Sequence, residues 1–162
     1  MESLRIPTSL VNRTDVLRLL REINWLNDFF VGAAARQTGS PMQVPKTSRV
    51  LDQLAEINEV NLVDPGVRKR IVAELDKLLK TAPSVHISFA SEPSPKTLEP
   101  ILVWMRSNVH PQVLLQVGLQ PAIAAGCVVR TPNRVFDFSL RSHLDKQAQY
   151  LTTLVTGSID GR

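Results

Sequence analysis

Asp137, Ser139 and His143 place the three residue types of a nucleophilic triad in one short stretch, DFSLRSH. A working triad needs hydroxyl, imidazole and carboxylate in one hydrogen-bonded line, beside backbone donors for an oxyanion. The local pattern argues for another role. Ser139 stands where a helix opens, as a residue type that caps a first turn, and Asp137 supports that same turn. No nucleophile elbow or oxyanion-hole glycines surround them. His86 and His110 fall on an alternating strand and at a helix end, without the spaced partners of a metal site. Cys127 is the single cysteine, so neither an internal disulfide nor a multi-cysteine metal site is available. Inside an apolar strand it reads as a small buried hydrophobe, which fits a reducing compartment. Phosphate-binding patterns of the G-x-x-x-x-G-K-[ST] and G-x-G-x-x-G types do not occur. The expectation is a chain with no catalytic residue, no cofactor and no metal.

The 162 residues suffice for one ordinary domain or two small ones. An apolar fraction of 43% with 21% charged residues is the profile of a soluble globular protein. The net charge of +4 is spread evenly: 12 Lys/Arg against 10 Asp/Glu up to Ala82, and 7 against 5 from Pro83 onward. The densest cluster, Arg68, Lys69 and Arg70, sits on a helix whose geometry fans the side chains around the axis, and reads as a solvated face rather than a binding patch. Met1 to Leu10 lack a basic region followed by a long apolar core, so no secretory signal is expected. No apolar run approaches the roughly 20 residues that span a bilayer, so membrane association is expected only through partners.

Hydrophobic periodicity predicts an α+β chain: a small N-terminal helical bundle over 1–82, then a C-terminal α/β domain over 83–162 with a small mixed sheet and a terminal helix. Thr14 can cap a helix reaching Arg36, whose stripe is Val16, Leu19, Leu20, Ile23, Leu26 and Phe30. Trp25 and Phe29 form an i,i+4 pair outside that stripe. Either the segment Gln37 to Lys46 or another helix covers them, or they form a face for another protein's helix. A second helix is predicted from Ser48 to Val60 with Ile57 inward, and a third from Asp64-Pro65 to before Pro83. Val85, Ile87 and Phe89 alternate as a strand. The next helix starts at Ser94 or Glu99, because Pro95 and Pro100 are both acceptable only near a helix start. Strands follow from Val113 to Leu119, Ala124 to Arg130 and Val135 to Asp137. A last helix from Ser139 to Val155 carries a narrow apolar sector of Leu140, Leu144, Ala148, Leu151 and Val155, suited to packing on the sheet or on a partner's helix.

A nucleic-acid-binding helical protein is the alternative class, since the second and third helices have a helix-turn-helix spacing. Asp52, Glu56 and Glu59 on the first of them would repel a phosphate backbone, and the eight aromatics do not interleave with basic residues on a strand.

The stretch QPAIAAGCVVRTPNRVFDFSLRSHL, from Gln120 to Leu144, resembles the C-terminal signature of the delta subunit family of F-type ATP synthases, called OSCP in mitochondria. Pro121, Ile123, Gly126, Val128, Val129, Arg130, Asp137, Ser139, Leu140, Arg141 and Leu144 fit its pattern. Ala125-Gly126 stands where the family has paired glycines, and Gln120 where it has an acid. The similarity is best from Val85 to Tyr150, and the helices around VLDQLAEINEVNLVDPGVRKRIVAELDKLL look like the end of the family's helical bundle. That bundle usually has six helices, whereas one long helix is predicted before Ser48. The resemblance implies a non-catalytic stator subunit, peripheral on the cytoplasmic face of an energy-transducing membrane. Its expected partners are the alpha subunits of the head, with beta as a further candidate, and the b subunits of the stalk, with no nucleic acid and no membrane insertion. Ile23, Trp25, Leu26 and Phe29 are the expected head-side contacts, and Leu144, Leu151 and Val155 the stalk-side contacts.

Overall fold

The computed structural model describes residues 4–35, 44–131, 133–145, 147 and 148. The chain is α+β, with helices α1 (Arg13–Ala35), α2 (Arg49–Ile57), α3 (Pro65–Thr81) and α4 (Pro95–Asn108), and strands β1 (Ser84–Phe89), β2 (Leu114–Leu119), β3 (Gly126–Arg130) and β4 (Val135–Ser139). Residues 140–145, 147 and 148 are helical and are called α5. Two compact units form: residues 1–83 with 99–114, and residues 84–98 with 115–162.

In the first unit the apolar stripe of α1 closes on α3. Val16, Leu19, Leu20, Ile23 and Leu26 are buried with Leu51 and Leu54 of α2 and with Ile71, Leu75 and Leu78 of α3. The cap of α1 is not Thr14. Asn12 Oδ1 accepts from the Asp15 N–H at 3.0 Å, while Asp15 Oδ2 accepts from the Asn12 N–H at 3.1 Å, a reciprocal arrangement that satisfies two donors at once. Ser48 caps α2, and Glu22 of α1 accepts from both its N–H (2.5 Å) and its hydroxyl (2.6 Å). Asp64 caps α3 with Pro65 in the first turn. Ile57 is the last residue of α2 and is 42% exposed rather than inward, because the helix stops at Asn58 before another turn can cover it.

The basic cluster on α3 is not uniformly solvated. Lys69 and Arg70 are exposed, but Arg68 is 3% exposed. Its Nη1 donates to the carbonyls of Leu62 (2.8 Å) and Val63 (2.7 Å), its Nε donates to Asn27 Oδ1 (3.3 Å), and its guanidinium lies 4.5 Å from the centre of the Phe30 ring. Position 68 lies on the side of α3 that also carries Ile71 and Leu75, so helical geometry turns it inward.

The segment before α1 is part of this unit. Asn58 accepts from the Arg5 N–H (2.8 Å) and donates to the Arg5 carbonyl (2.9 Å), and Leu10 is fully buried. Arg106 of α4 fastens the same segment, donating to the carbonyls of Pro7 (2.9 Å), Leu10 (2.6 Å) and Ile6 (3.3 Å). Its Nε is buried with no partner among the described residues. Burial holds its pKa down to about 10, so it remains charged at neutral pH. Helix α4 starts at Pro95, capped by Ser94, and runs through Pro100. That proline is interior rather than near the start. Lys96, whose carbonyl Pro100 cannot serve, is exposed, as is Pro100 itself, so the missing donor falls on the solvent side of the helix, where its cost is least.

In the second unit the sheet order is β2-β1-β3-β4. β1 and β3 are antiparallel, as are β3 and β4. β2 runs with β1: the Leu114 N–H donates to the Pro83 carbonyl at one end and the Gln120 N–H to the Phe89 carbonyl at the other. The sheet is therefore mixed. Pro121–Ile123 forms a single 3-10 turn, so β3 begins at Gly126 rather than Ala124, and β4 extends to Ser139 rather than stopping at Asp137.

Replacing Arg106 by Ala is expected to lower stability by about 2–4 kcal/mol, because three carbonyls lose a charged donor. Urea denaturation, with faster hydrogen exchange at Leu10, is the measurement.

Candidate protein-binding surfaces

On α1 the helical period separates two sets of neighbours. Ile23 and Leu26, two of the expected head-side contacts, are almost wholly buried in the helical core and support the helix from inside. Trp25 is 53% exposed and Phe29 half-buried. Their rings lie 6.4 Å apart, and Phe29 meets Phe30 edge to face at 5.7 Å. The Phe30 ring in turn lies against Arg68. Trp25 is thus the outer end of an aromatic row whose inner end is anchored. Most of the segment from Gln37 to Lys46, expected as one possible cover, lies outside the described residues.

In the second unit the motif residues form one corner. Gly126 has φ +86°, and a Cβ there would stand 2.2 Å from the Phe138 carbonyl oxygen. Only glycine permits that backbone approach. Gly126 is paired with Ser139, the last residue of β4, and the Leu140 N–H donates to the Ala125 carbonyl at 2.8 Å. Asp137 Oδ1 accepts from the Ser139 N–H (2.9 Å), and Ser139 Oγ accepts from the Ser142 N–H (3.1 Å). Serine and aspartate therefore shape the turn into α5, while His143 is exposed on that helix. These residues line an open hollow of about 420 Å³. Pro121 begins the 3-10 turn, and Arg141 is exposed on α5. Elsewhere His86 Nε2 lies 3.1 Å from Ser88 Oγ. Among the described residues no three His, Cys, Asp or Glu side chains gather as a metal site would require.

Apolar side chains continue outward from this corner. Leu140 and Leu144 of α5 are exposed, Leu144 at 55%. Leu151 and Val155 lie outside the described residues. Phe136 and Phe138 on the edge strand β4 stack nearly parallel at 6.4 Å, and Phe138 is 64% exposed. Sequence reading passed over these two rings. Alternation in VFDFS carries the signal that they share one face, but not that the face stays open at the sheet edge. On α4, Trp104 is likewise exposed. No helix among the described residues is long and apolar enough to cross a membrane.

No family model matches the chain. It is similar to the protein of Aquifex aeolicus (strain VF5) named ATP synthase subunit delta, at 31% identity over 107 residues, which cover 65% of this chain and 58% of that protein. The chain thus spans less than two thirds of the length of this curated relative.

Gly126→Ala is expected to destabilise the protein by at least about 2 kcal/mol, since it adds left-handed strain and displaces the Phe138 carbonyl; urea denaturation reads this directly. Burial raises the Cys127 thiol above its ordinary range. Its thiolate is then scarcer at neutral pH, and iodoacetamide is expected to label it more slowly than free cysteine, with the rate climbing as pH rises.

Proposed function

We propose that this chain is a delta-type subunit in the peripheral stalk of a proton-translocating F-type ATP synthase. It joins the catalytic head to the stationary stalk and resists the torque of the rotor. The similarity to the Aquifex aeolicus protein named ATP synthase subunit delta carries this reading. The role is non-catalytic and needs no cofactor, because a stator transmits force through durable contacts. Such contacts rest on buried aromatic and aliphatic anchors rather than reactive groups.

In this reading the helical half, residues 1–82, faces the alpha subunits of the head, with beta adjacent, and residues 83–162 hold the b subunits. Trp25 and Phe29 are the head-side anchors, with Ile23 and Leu26 holding them from beneath. Leu144, continued by Leu151 and Val155, is the stalk-side anchor. The exposure of Trp25 and Leu144 is the physical support for these assignments. The protein then resides peripherally on the cytoplasmic face of the energy-transducing membrane, held by its partners without inserting.

Calorimetry with a peptide of the alpha-subunit N-terminus checks the head side. Trp25→Ala and Phe29→Ala are each expected to weaken binding about tenfold, equivalent to about 1.4 kcal/mol, and an unchanged affinity removes that assignment. Leu144→Asp is expected to abolish co-purification with the b subunit while the melting temperature stays near that of the parent; retention of b refutes the stalk-side assignment. Preference for duplex DNA over the synthase head at moderate salt would overturn the whole reading in favour of a nucleic-acid-binding protein.

A further inference from the structure

Between α1 and α3 the helical unit has a cleft of about 320 Å³, lined by Ile23, Asn24, Asn27, Arg68, Lys69 and Val72 among others. Its chemistry is one-sided. Two cationic side chains and two carboxamides surround an apolar floor, and among the described residues no carboxylate lines it.

Arg68 is the unusual member. A buried cation is costly unless a counter-charge and hydrogen bonds replace the lost water. Its Nε and Nη1 are served by Asn27 Oδ1 and by the Leu62 and Val63 carbonyls. These neutral acceptors and the Phe30 ring hold the guanidinium rigidly in place. Nη2 forms no hydrogen bond among the described residues, and no carboxylate there pairs with Arg68. Nη2 is thus the end of the fork left unserved, on a side chain that lines the cleft.

We infer that this cleft binds an oxyanion, a phosphate or a carboxylate, on the Arg68 guanidinium, with Lys69 adding charge at the mouth and Asn24 and Asn27 lending amide donors. A pre-positioned guanidinium suits this task, because a planar fork matches two oxygens and loses little freedom on binding. The inference does not depend on the stator reading.

Titration of the intact chain with inorganic phosphate, and separately with acetate, at constant ionic strength set by sodium chloride, tests the site by NMR of the Arg68 Nε–H and the Asn24 and Asn27 side-chain amides. Saturable shifts in the millimolar range with either ion support the site, and the tighter ion identifies the ligand class. Since Arg68 also holds the fold, Lys69→Gln is the informative variant: it is exposed, should keep the parent melting temperature, and is expected to weaken binding about threefold. Arg70→Gln, exposed and outside the cleft, should leave binding unchanged. Shifts that do not saturate with either ion, or an equal loss in Arg70→Gln, which would mean diffuse attraction to a basic surface, overturn the inference.

Discussion

Val16, Leu19, Leu20, Ile23 and Leu26 occupy one side of α1, and the rest of the helical unit is arranged to keep that side from water. Each such side chain contributes about 1.5–3 kcal/mol on full burial. Helices as short as the nine residues of α2 are not stable alone. Their order comes from the shared core. Once the rotation of α1 is set by that stripe, a step of 100° per residue leaves Trp25 outside and sends Ile23 and Leu26 inside. The same constraint thus leaves Trp25 exposed at the end of the aromatic row and turns two aliphatic residues into the core.

Polar side chains fix the joints that apolar burial leaves loose. Glu22 ties α1 to the start of α2, Asn58 brackets the backbone of Arg5, and Arg106 gathers three carbonyls of the same segment. Arg68 does the same for the link between α2 and α3. Hydrophobic contact is non-directional, whereas these bonds have defined partners and angles. In the second unit the comparable joint is backbone-driven: the space left by Gly126 lets the Phe138 carbonyl approach, and Ser139 then caps the turn into α5.

Exposed apolar residues occur on both units, among them Trp25 and Trp104 on the first and Phe138, Leu140 and Leu144 on the second. Asp137 Oδ1 and Ser139 Oγ accept from the N–H groups of Ser139 and Ser142 and so shape the turn into α5.

Local rules were enough for the elements and for several caps. The 3.6-residue period of α1 and α3, the Asp64-Pro65 start, the alternation of β1 and the capping position of Ser139 are properties of a few adjacent residues, and short-range sterics and hydrogen bonds decide them. Other outcomes required the fold. Arg68 and Lys69 are neighbours of the same charge, yet only the packing of α3 on α1 determines that one is buried over Phe30 while the other meets water. Pro100 is tolerated inside α4 because that turn faces solvent. Phe136 and Phe138 remain exposed because β4 is the last strand of its sheet. Sequence alone determines which side chains share a face; which face is covered depends on residues distant in the chain, and so only tertiary structure decides it.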